Sequence, residues 1–153
     1  MTIKRAAQAD ANAGVRVWKR LVQVGQQTMA AVEADLKAAG LPPLIWYDAL
    51  WELEQAGEEG LRPFELERAM LLAQYNLSRL LDRLEAAGHV ARCRCPGDGR
   101  GQMIRLTDAG RLLRQTMWPV YANAIHTHIT VHLNQSEADQ LADALALLVR
   151  PRP

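Results

Sequence analysis

The chain has 153 residues, 49% of them hydrophobic, which suits one domain with an ordinary core, and its formal net charge of +1 gives no overall bias toward nucleic acid. No apolar stretch approaches the roughly 20 residues of a membrane span, and residues 1–10 lack the apolar segment of a secretory signal, so we expect a cytoplasmic protein without a membrane partner. Two cysteines one residue apart, Cys93 and Cys95, do not make the disulfide framework of a small secreted domain.

The charge is unevenly distributed along the chain. Residues 31–70 contain nine acidic and three basic side chains, whereas residues 79–114 contain eight arginines and four acidic side chains. Arginine makes bidentate contacts with phosphate and guanine, so this segregation favours a surface for a polyanion. A solvated arginine-rich face without a partner is the alternative.

Apolar residues at helical spacing predict the first two helices. One stripe runs over residues 15–36, and its helix should end near Gly40. The next helix is expected over residues 44–55, with Gly57 as its stop. It is apolar nearly all round, which predicts burial against more than one neighbour.

Two further helices follow the GEEG loop, a short one over residues 63–70 and a longer one over residues 73–87. The longer helix has a leucine stripe for the core and ends at Gly88. The repeat then changes to two residues, which is typical of strands. In the first strand the alternation places Ala91, Cys93 and Cys95 on one face and Arg92 and Arg94 on the other. In the second strand it places Ile104 and Leu106 on one face and Met103 and Arg105 on the other. The stretch CRCPGDGRGQ between them is therefore the loop of a β-hairpin.

A long helix is predicted after the hairpin, over residues 108–131, with Thr107 as its N-cap. Pro119 lies inside it and should kink or split it. Ser136 is a candidate N-cap for a last helix, which ends before Pro151.

The residues do not favour nucleotide or metal chemistry. The glycines of the hairpin loop lead into a strand rather than a helix, and the lysine of a P-loop is absent. Cys93 and Cys95 lack the second pair of a zinc site. A separate histidine cluster is formed by His126, His128 and His132, of which the last two are expected to share a helix face. We predict no catalytic residues, no cofactor and no bound metal.

A short helix, a turn, a longer helix and an arginine-bearing hairpin form the order of a winged helix-turn-helix. In this order the sequence resembles the MarR family of bacterial transcription regulators, most densely over residues 64–113. Three motifs occur in the family's order and spacing: SRLLDRLEAAGHVAR, the Asp98-x-Arg100 pair and LTDAGR. The resemblance implies a mainly α fold with one β-hairpin wing in a single domain over residues 1–153. Dimerisation helices would occupy residues 12–40 and 108–150, and the winged helix-turn-helix residues 43–107.

The resemblance also implies the contacts with double-stranded DNA. The recognition helix would begin near Ala73, and the predicted DNA-binding residues are Gln74, Tyr75, Asn76, Ser78, Arg79, Arg83, Asp98 and Arg100. Glutamine and asparagine pair with adenine and arginine with guanine, whereas Arg83 is expected to meet phosphate or a carboxylate. Arg100 would enter the minor groove, oriented by Asp98. Leu71 and Ala73 depart from the family's pattern, which often has glycine and a capping Ser or Thr there.

Regulation is the last property that the resemblance implies. The expected protein is a homodimer, most often a repressor, on a pseudo-palindromic operator, released by a small, often aromatic molecule. The candidate pocket residues are Trp18, Trp46, Tyr47, Trp51, Trp118 and Tyr121, for which ordinary packing is the alternative. Two other functions stay open: a thiol- or metal-responsive regulator acting through Cys93/Cys95 or the histidine cluster, and a small metal-dependent enzyme.

Overall fold

The computed structural model describes residues 2–72, 76–94, 97 and 101–150, with side chains from residue 12 onward. The described part contains six α-helices, two short 3-10 turns and one antiparallel two-stranded sheet. In chain order these are α1 (Thr2–Ala38), α2 (Leu44–Ala56), a 3-10 turn (Gly57–Glu59), α3 (Pro63–Ala69), α4 (Leu77–Ala86), β1 (Val90–Arg94), β2 (Gln102–Leu106), α5 (Asp108–His128), a 3-10 turn (Thr130–His132) and α6 (Gln135–Ala146). Within these residues, no helix has the length and apolar character to cross a bilayer.

Helices α2 and α3 lie where the apolar spacing predicted them, whereas α1 begins thirteen residues before the predicted stripe. Residues 2–14 are rich in alanine, the best helix former, so they extend the helix without contributing apolar periodicity. The prediction therefore located the packed part of α1 and missed its N-terminal extension.

Helix α4 begins at Leu77 rather than near Ala73. Asn76 is its N-cap, since its Oδ1 accepts a hydrogen bond from the backbone N–H of Arg79 at 3.0 Å. Asparagine is among the best N-cap residues, and the helix starts where that cap is available. Residues 73–75 lie outside the described residues.

The last helices correct two further predictions. Helix α5 is continuous through Pro119, so the helix is not split there, and Met117 and Ala124 on either side of the proline are fully buried. Thr107 caps α5 as predicted, accepting from the N–H of Gly110 at 3.0 Å. For α6 the cap is Asn134, not Ser136. The Asn134 side chain accepts from the backbone N–H of Glu137 at 3.0 Å, and the Glu137 side chain accepts from the backbone N–H of Asn134 at 2.9 Å, which is a reciprocal capping box.

Strand register shows which face of the hairpin packs on the body. Arg92 lies opposite Ile104 and Cys93 opposite Met103, and directly opposite residues share a face. Ile104 is buried and Leu106 partly buried, as expected for the inner face of β2. On β1 the residues of this inner face are Val90 and Arg92, so Ala91 and Cys93 share the opposite face, where Cys93 is half-buried as expected. Arginine is tolerated on the inner face because its charge is paired with carboxylates of α4.

Two hydrophobic cores share helix α2. The first joins α2, α3, α4 and both strands through Ala49, Leu50, Leu53, Leu66, Met70, Leu80, Leu81, Leu84, Val90 and Ile104. The second joins α1, α2 and α5 through Val32, Leu36, Leu44, Tyr47, Met117 and Ala124. The predicted burial of α2 against more than one neighbour is thus confirmed.

The segment after α2 is joined to the hairpin at one point. Leu61 and Ile104 exchange two backbone hydrogen bonds, of 3.0 and 2.7 Å. The preceding Gly60 has φ +76° and lies so close to β2 that an added Cβ would overlap the carbonyl oxygen of Ile104. A side chain at this position is incompatible with the contact.

We expect Gly60→Ala to lower the free energy of unfolding by about 2–4 kcal/mol, since it adds a steric clash to the cost of a backbone conformation favoured by glycine. Gly57→Ala is the matched control, because Gly57 has a similar backbone conformation (φ 69°, ψ −150°, against 76° and −168°) and open space around its Cα. Urea denaturation measures both. Equal losses in the two variants would show that the contact with β2 adds no constraint.

Candidate functional site: an exposed helix face and an aromatic cavity

Helix α4 presents two different faces. Leu80, Leu81 and Leu84 are buried, as the leucine stripe predicted. Three of the predicted DNA-binding residues, Ser78, Arg79 and Arg83, are exposed. Neither arginine forms an ion pair with any described residue, and they lie one helical turn apart. The helix therefore carries two available guanidinium groups on its solvent side.

A shallow crevice of about 220 Å³ separates α4 from the start of α2. Its lining residues are Pro43, Ile45, Trp46, Asn76, Arg79, Leu80 and Arg83. Trp46 therefore faces α4, and its ring contacts the edge of His89 with centroids 5.8 Å apart. With Arg79 and Arg83 on one wall, the crevice has the charge to receive a phosphate group.

The other predicted DNA contacts divide into two groups. Asn76 is exposed, but its Oδ1 is engaged by the cap of α4. Gln74, Tyr75, Asp98 and Arg100 lie outside the described residues.

Arg92 holds the hairpin against α4. Its guanidinium contacts Asp82 at 2.7 Å and Glu85 at 2.5 Å, and its backbone N–H donates to Glu85 at 3.3 Å. These contacts raise the pKa of Arg92, chiefly through the hydrogen bond with Asp82, while burial opposes the rise. Arg92 is therefore a positioning residue for the hairpin.

Two arginines of α5 are likewise engaged inside the protein. Arg111 lies 3.4 Å from Glu54 of α2, and Arg114 forms an ion pair with the same carboxylate. The guanidinium of Arg114 also lies over the ring of Trp51, 5.3 Å from its centroid. Among the described arginines of residues 79–114, those left exposed without an internal ion pair are Arg79, Arg83, Arg94 and Arg105.

A second feature is a cavity of about 650 Å³ between α2, the turn after α3 and α5. It is lined by Leu44, Tyr47, Asp48, Trp51, Glu52, Leu71, Leu72, Arg114, Trp118, Tyr121 and Ile125. Four of the six aromatic candidates are brought together there, whereas Trp46 lies in the crevice and Trp18 is 66% exposed on α1.

Tyr47 is the centre of the aromatic group. It stacks on Trp51 (centroids 6.4 Å, planes 7° apart) and on Trp118 (6.0 Å, 22°), and meets Tyr121 edge-on at 5.1 Å. Two sequence spacings produce the group, since Tyr47 and Trp51 are four apart on α2, and Trp118 and Tyr121 are three apart on α5.

Asp48 is a functional candidate that the sequence analysis missed. It is 7% exposed, and its two oxygens accept the backbone N–H groups of Leu71 at 3.0 Å and Leu72 at 2.7 Å. All three residues line the cavity, and Leu71 and Leu72 belong to the turn that precedes α4. The cavity wall and the helix-turn-helix turn are therefore joined directly. The available sequence signal was one aspartate in an otherwise apolar stretch of α2.

The cavity also shifts the titration of acidic groups in its wall. Glu52, one turn after Asp48, has its pKa raised by burial and then by the charge of Asp48. Burial raises the pKa of the Tyr121 phenol, with smaller contributions from Tyr47 and Asp48. Burial at this wall thus disfavours an unpaired charge, and the nearby carboxylate of Asp48 adds a smaller penalty for a negative one.

The residues considered for metal or thiol chemistry are not assembled into one site. Within the described part of the chain, no group of three or more His, Cys, Asp or Glu side chains is placed to hold a metal ion. His128 lies 3.7 Å from Asp35 of α1. His132 belongs to the 3-10 turn beyond α5, so the prediction that His128 and His132 share a helix face is wrong. Cys93 is half-buried, and Cys95 lies outside the described residues.

A short helix, a turn, a capped longer helix and an antiparallel hairpin define a winged helix-turn-helix protein. A family model described as the MarR family matches residues 39–101. Over this segment the chain is similar to the MarR family.

The relatives agree with this assignment. The chain is 46% identical over 68 residues to the HTH-type transcriptional regulator TtmR of Methylorubrum extorquens (strain PA1), a match that covers 44% of this chain and 32% of TtmR. It is 30% identical over 93 residues to the multiple antibiotic resistance protein MarR of Escherichia coli (strain K12), covering 61% of this chain and 62% of that protein. The matches thus span about a third and about three fifths of these curated relatives.

A solved structure extends the likeness beyond the matched segment. The crystal structure of Sco3205, a MarR family transcriptional regulator from Streptomyces coelicolor in complex with DNA, superposes with a TM-score of 0.78. The two chains are 25% identical, and the alignment covers 86% of each.

We expect Asp48→Asn to lower the free energy of unfolding by about 2 kcal/mol, because an amide replaces one of two charged acceptors and turns an NH₂ group toward a backbone N–H. Urea denaturation should show a lower midpoint with an unchanged slope. Glu52→Gln is the control on the same helix, since Glu52 makes no hydrogen bond to a described residue. An unchanged midpoint in Asp48→Asn would contradict a role of the carboxylate in holding the turn.

Proposed function

We propose that this protein is a homodimeric transcription regulator, acting as a repressor, that binds a pseudo-palindromic operator and is released from it by a small molecule in the aromatic cavity. The observation that carries the proposal is the solvent face of α4, where Ser78, Arg79 and Arg83 are exposed beside a hairpin that Arg92 fixes to the same helix. A helix held in this way presents side chains to the major groove.

The predicted contacts have separate tasks in this proposal. Arg79, near the N-terminus of α4, reads guanine or holds phosphate together with Ser78, and Arg83, one turn on, binds a phosphate at the crevice beside α2. Gln74, Tyr75 and Asn76 precede the helix and approach bases from the turn. Asp98 orients Arg100 in the wing loop, which enters the minor groove. The free guanidinium groups of Arg94 and Arg105 add charge to the same lobe. The relation to Sco3205, which was solved with DNA, supports this use of the fold.

Exposed apolar residues on the terminal helices support the homodimer. On α1, Val17 and Val24 are about half exposed, and they line a groove of about 650 Å³ that Leu141 and Leu145 of α6 complete. Leu147, Leu148 and Val149 continue this apolar surface after α6, all more than half exposed. A second copy of the chain, paired through residues 12–40 and 108–150, would bury it. A two-fold dimer then places its two recognition helices on half-sites about ten base pairs apart.

The contacts of the cavity support release by a ligand. Leu71 and Leu72 form part of its wall and lie between α3 and α4, and Asp48 accepts hydrogen bonds from both of their N–H groups. A ligand that alters this wall changes the position of α4 relative to α2. Since the dimer binds two half-sites at once, a small change in the separation of the two recognition helices lowers operator affinity.

Arg79→Ala and Arg100→Ala should each weaken operator binding by about tenfold. Where the substitution removes a phosphate contact, the slope of the log binding constant against the log salt concentration should also fall in magnitude by about one. Fluorescence anisotropy with DNA from the protein's own promoter region, compared with random duplex across a salt series, measures both quantities. Lys19→Ala on α1 removes one positive charge away from the proposed DNA contacts and from the apolar groove, and should leave both quantities unchanged. Operator binding that is insensitive to both arginine substitutions would overturn the assignment of α4 and the wing.

Val24→Glu should raise the monomer–dimer dissociation constant by about 100-fold or more, because it places an unpaired charge in an apolar interface. Sedimentation equilibrium measures the constant. Gln27→Glu adds the same charge at an exposed polar position of α1 and should have a small effect. A wild-type protein that is monomeric at micromolar concentration would contradict the dimer.

A further inference from the structure

The aromatic cavity has walls that attract positive charge. Tyr47, Trp51, Trp118 and Tyr121 enclose it from two helices, with neighbouring ring centroids 5.1–6.4 Å apart. The face of an aromatic ring carries negative potential and binds ammonium or guanidinium groups within about 6 Å, and tryptophan does so best.

Two carboxylates face this aromatic group from α2. Asp48 and Glu52 are one turn apart, and both line the cavity. Asp48 is engaged by the N–H groups of Leu71 and Leu72, whereas Glu52 has no hydrogen-bond or ion-pair partner among the described residues. Glu52 is therefore an acceptor at the cavity wall without a counter-ion among the residues that the structure describes.

The cavity offers little to an anion. Arg114 is the basic side chain among its described lining residues, and it is paired with Glu54 and lies over Trp51. An anionic ligand would have to compete with Glu54 for this guanidinium and would also meet the field of Asp48 and Glu52. The charge of Asp48 also contributes to the raised pKa of Glu52 and of Tyr121, although burial is the larger cause for both.

We propose that the effector cavity takes a hydrophobic organic cation, such as an aromatic amine or a quaternary ammonium compound, with the aromatic rings enclosing the ligand and Glu52 as its counter-ion. The proposal rests on the proposed function in one respect, that the cavity is the effector site. A cationic ligand differs from a carboxylate or phenolate ligand in the sign of the charge that the protein must balance.

A pH dependence follows from this pairing. The charged groups that face Glu52 are Asp48 from α2 and Arg114 from α5, with the phenols of Tyr47 and Tyr121 beside them. In the free protein the pKa of Glu52 is raised, and a bound cation stabilises its ionised form. Cation affinity is therefore full above the raised pKa and falls as the pH decreases through it.

Two ions of nearly identical shape and opposite charge provide the test: tetraphenylphosphonium and tetraphenylborate. Isothermal titration calorimetry with the full chain, in the absence of DNA, measures the affinity of each. We expect the cation to bind at least about tenfold more tightly than the anion. Glu52→Gln should weaken the cation about tenfold and leave the anion unchanged or tighter, and it should remove the loss of cation affinity at acidic pH. Trp118→Leu should weaken the cation several-fold.

The matched control is Glu59→Gln, which makes the same change on an exposed residue outside the cavity and should alter neither ion's binding. Preference for tetraphenylborate, binding of neither ion, or an equal effect of Glu52→Gln on both ions would each overturn the proposal. Because no DNA is present, these outcomes are separate from the test of operator binding: a protein that fails to bind its operator but selects the cation would refute the regulator and retain the cation site.

Discussion

Helix α2 is buried on two sides, and the remaining architecture depends on this double burial. Ala49, Leu50 and Leu53 enter the core of the helix-turn-helix and hairpin, while Leu44 and Tyr47 enter the core shared with α1 and α5. One rigid helix therefore fixes the separation between the lobe that carries α4 and the long helices. The cavity lies where these two packings diverge, so any molecule that occupies it contacts the element common to both cores.

Ion pairing explains how a chain with a net charge of +1 presents a basic face. Three acidic residues of α2 and α4 are neutralised internally: Glu54 is paired with Arg111 and Arg114, and Asp82 and Glu85 are paired with Arg92. These arginines stabilise the placement of the hairpin and of α5. The arginines without such partners remain on the surface of α4 and the hairpin. Counting charges along the sequence could not make this division, since it depends on contacts as far as 60 residues apart.

Local signals predicted local structure well, and the errors arose where a tertiary contact or a competing cap decided the outcome. The leucine stripe of α4 and the Thr107 cap follow from spacing and side-chain chemistry within a few residues. Asn134 prevailed over Ser136 because it forms a reciprocal box with Glu137. Alternation in β1 separated its two faces but did not show which one packs on the core, because an arginine at a core-facing position requires carboxylates from another element. In the cavity, spacing indicated the aromatic pairs, but Asp48 acquires its partners 23 and 24 residues away, which periodicity cannot show.

The charge of the proposed effector and its coupling to DNA are linked through Asp48. Its carboxylate oxygens have accepting capacity beyond the N–H groups of Leu71 and Leu72, and its charge lies one turn from Glu52. A cation at Glu52 would also be attracted by the carboxylate of Asp48 and would compete for it with the N–H groups of Leu71 and Leu72. A neutral aromatic ligand would fill the cavity without that competition. In this proposal, operator binding favours the turn held by Asp48. Linkage then requires a reciprocal effect: the operator lowers the affinity for the cation by the same factor by which the cation lowers the affinity for the operator. Under this proposal a cationic effector would act on the turn before α4 through charge, with no need for a large movement of the rings around it.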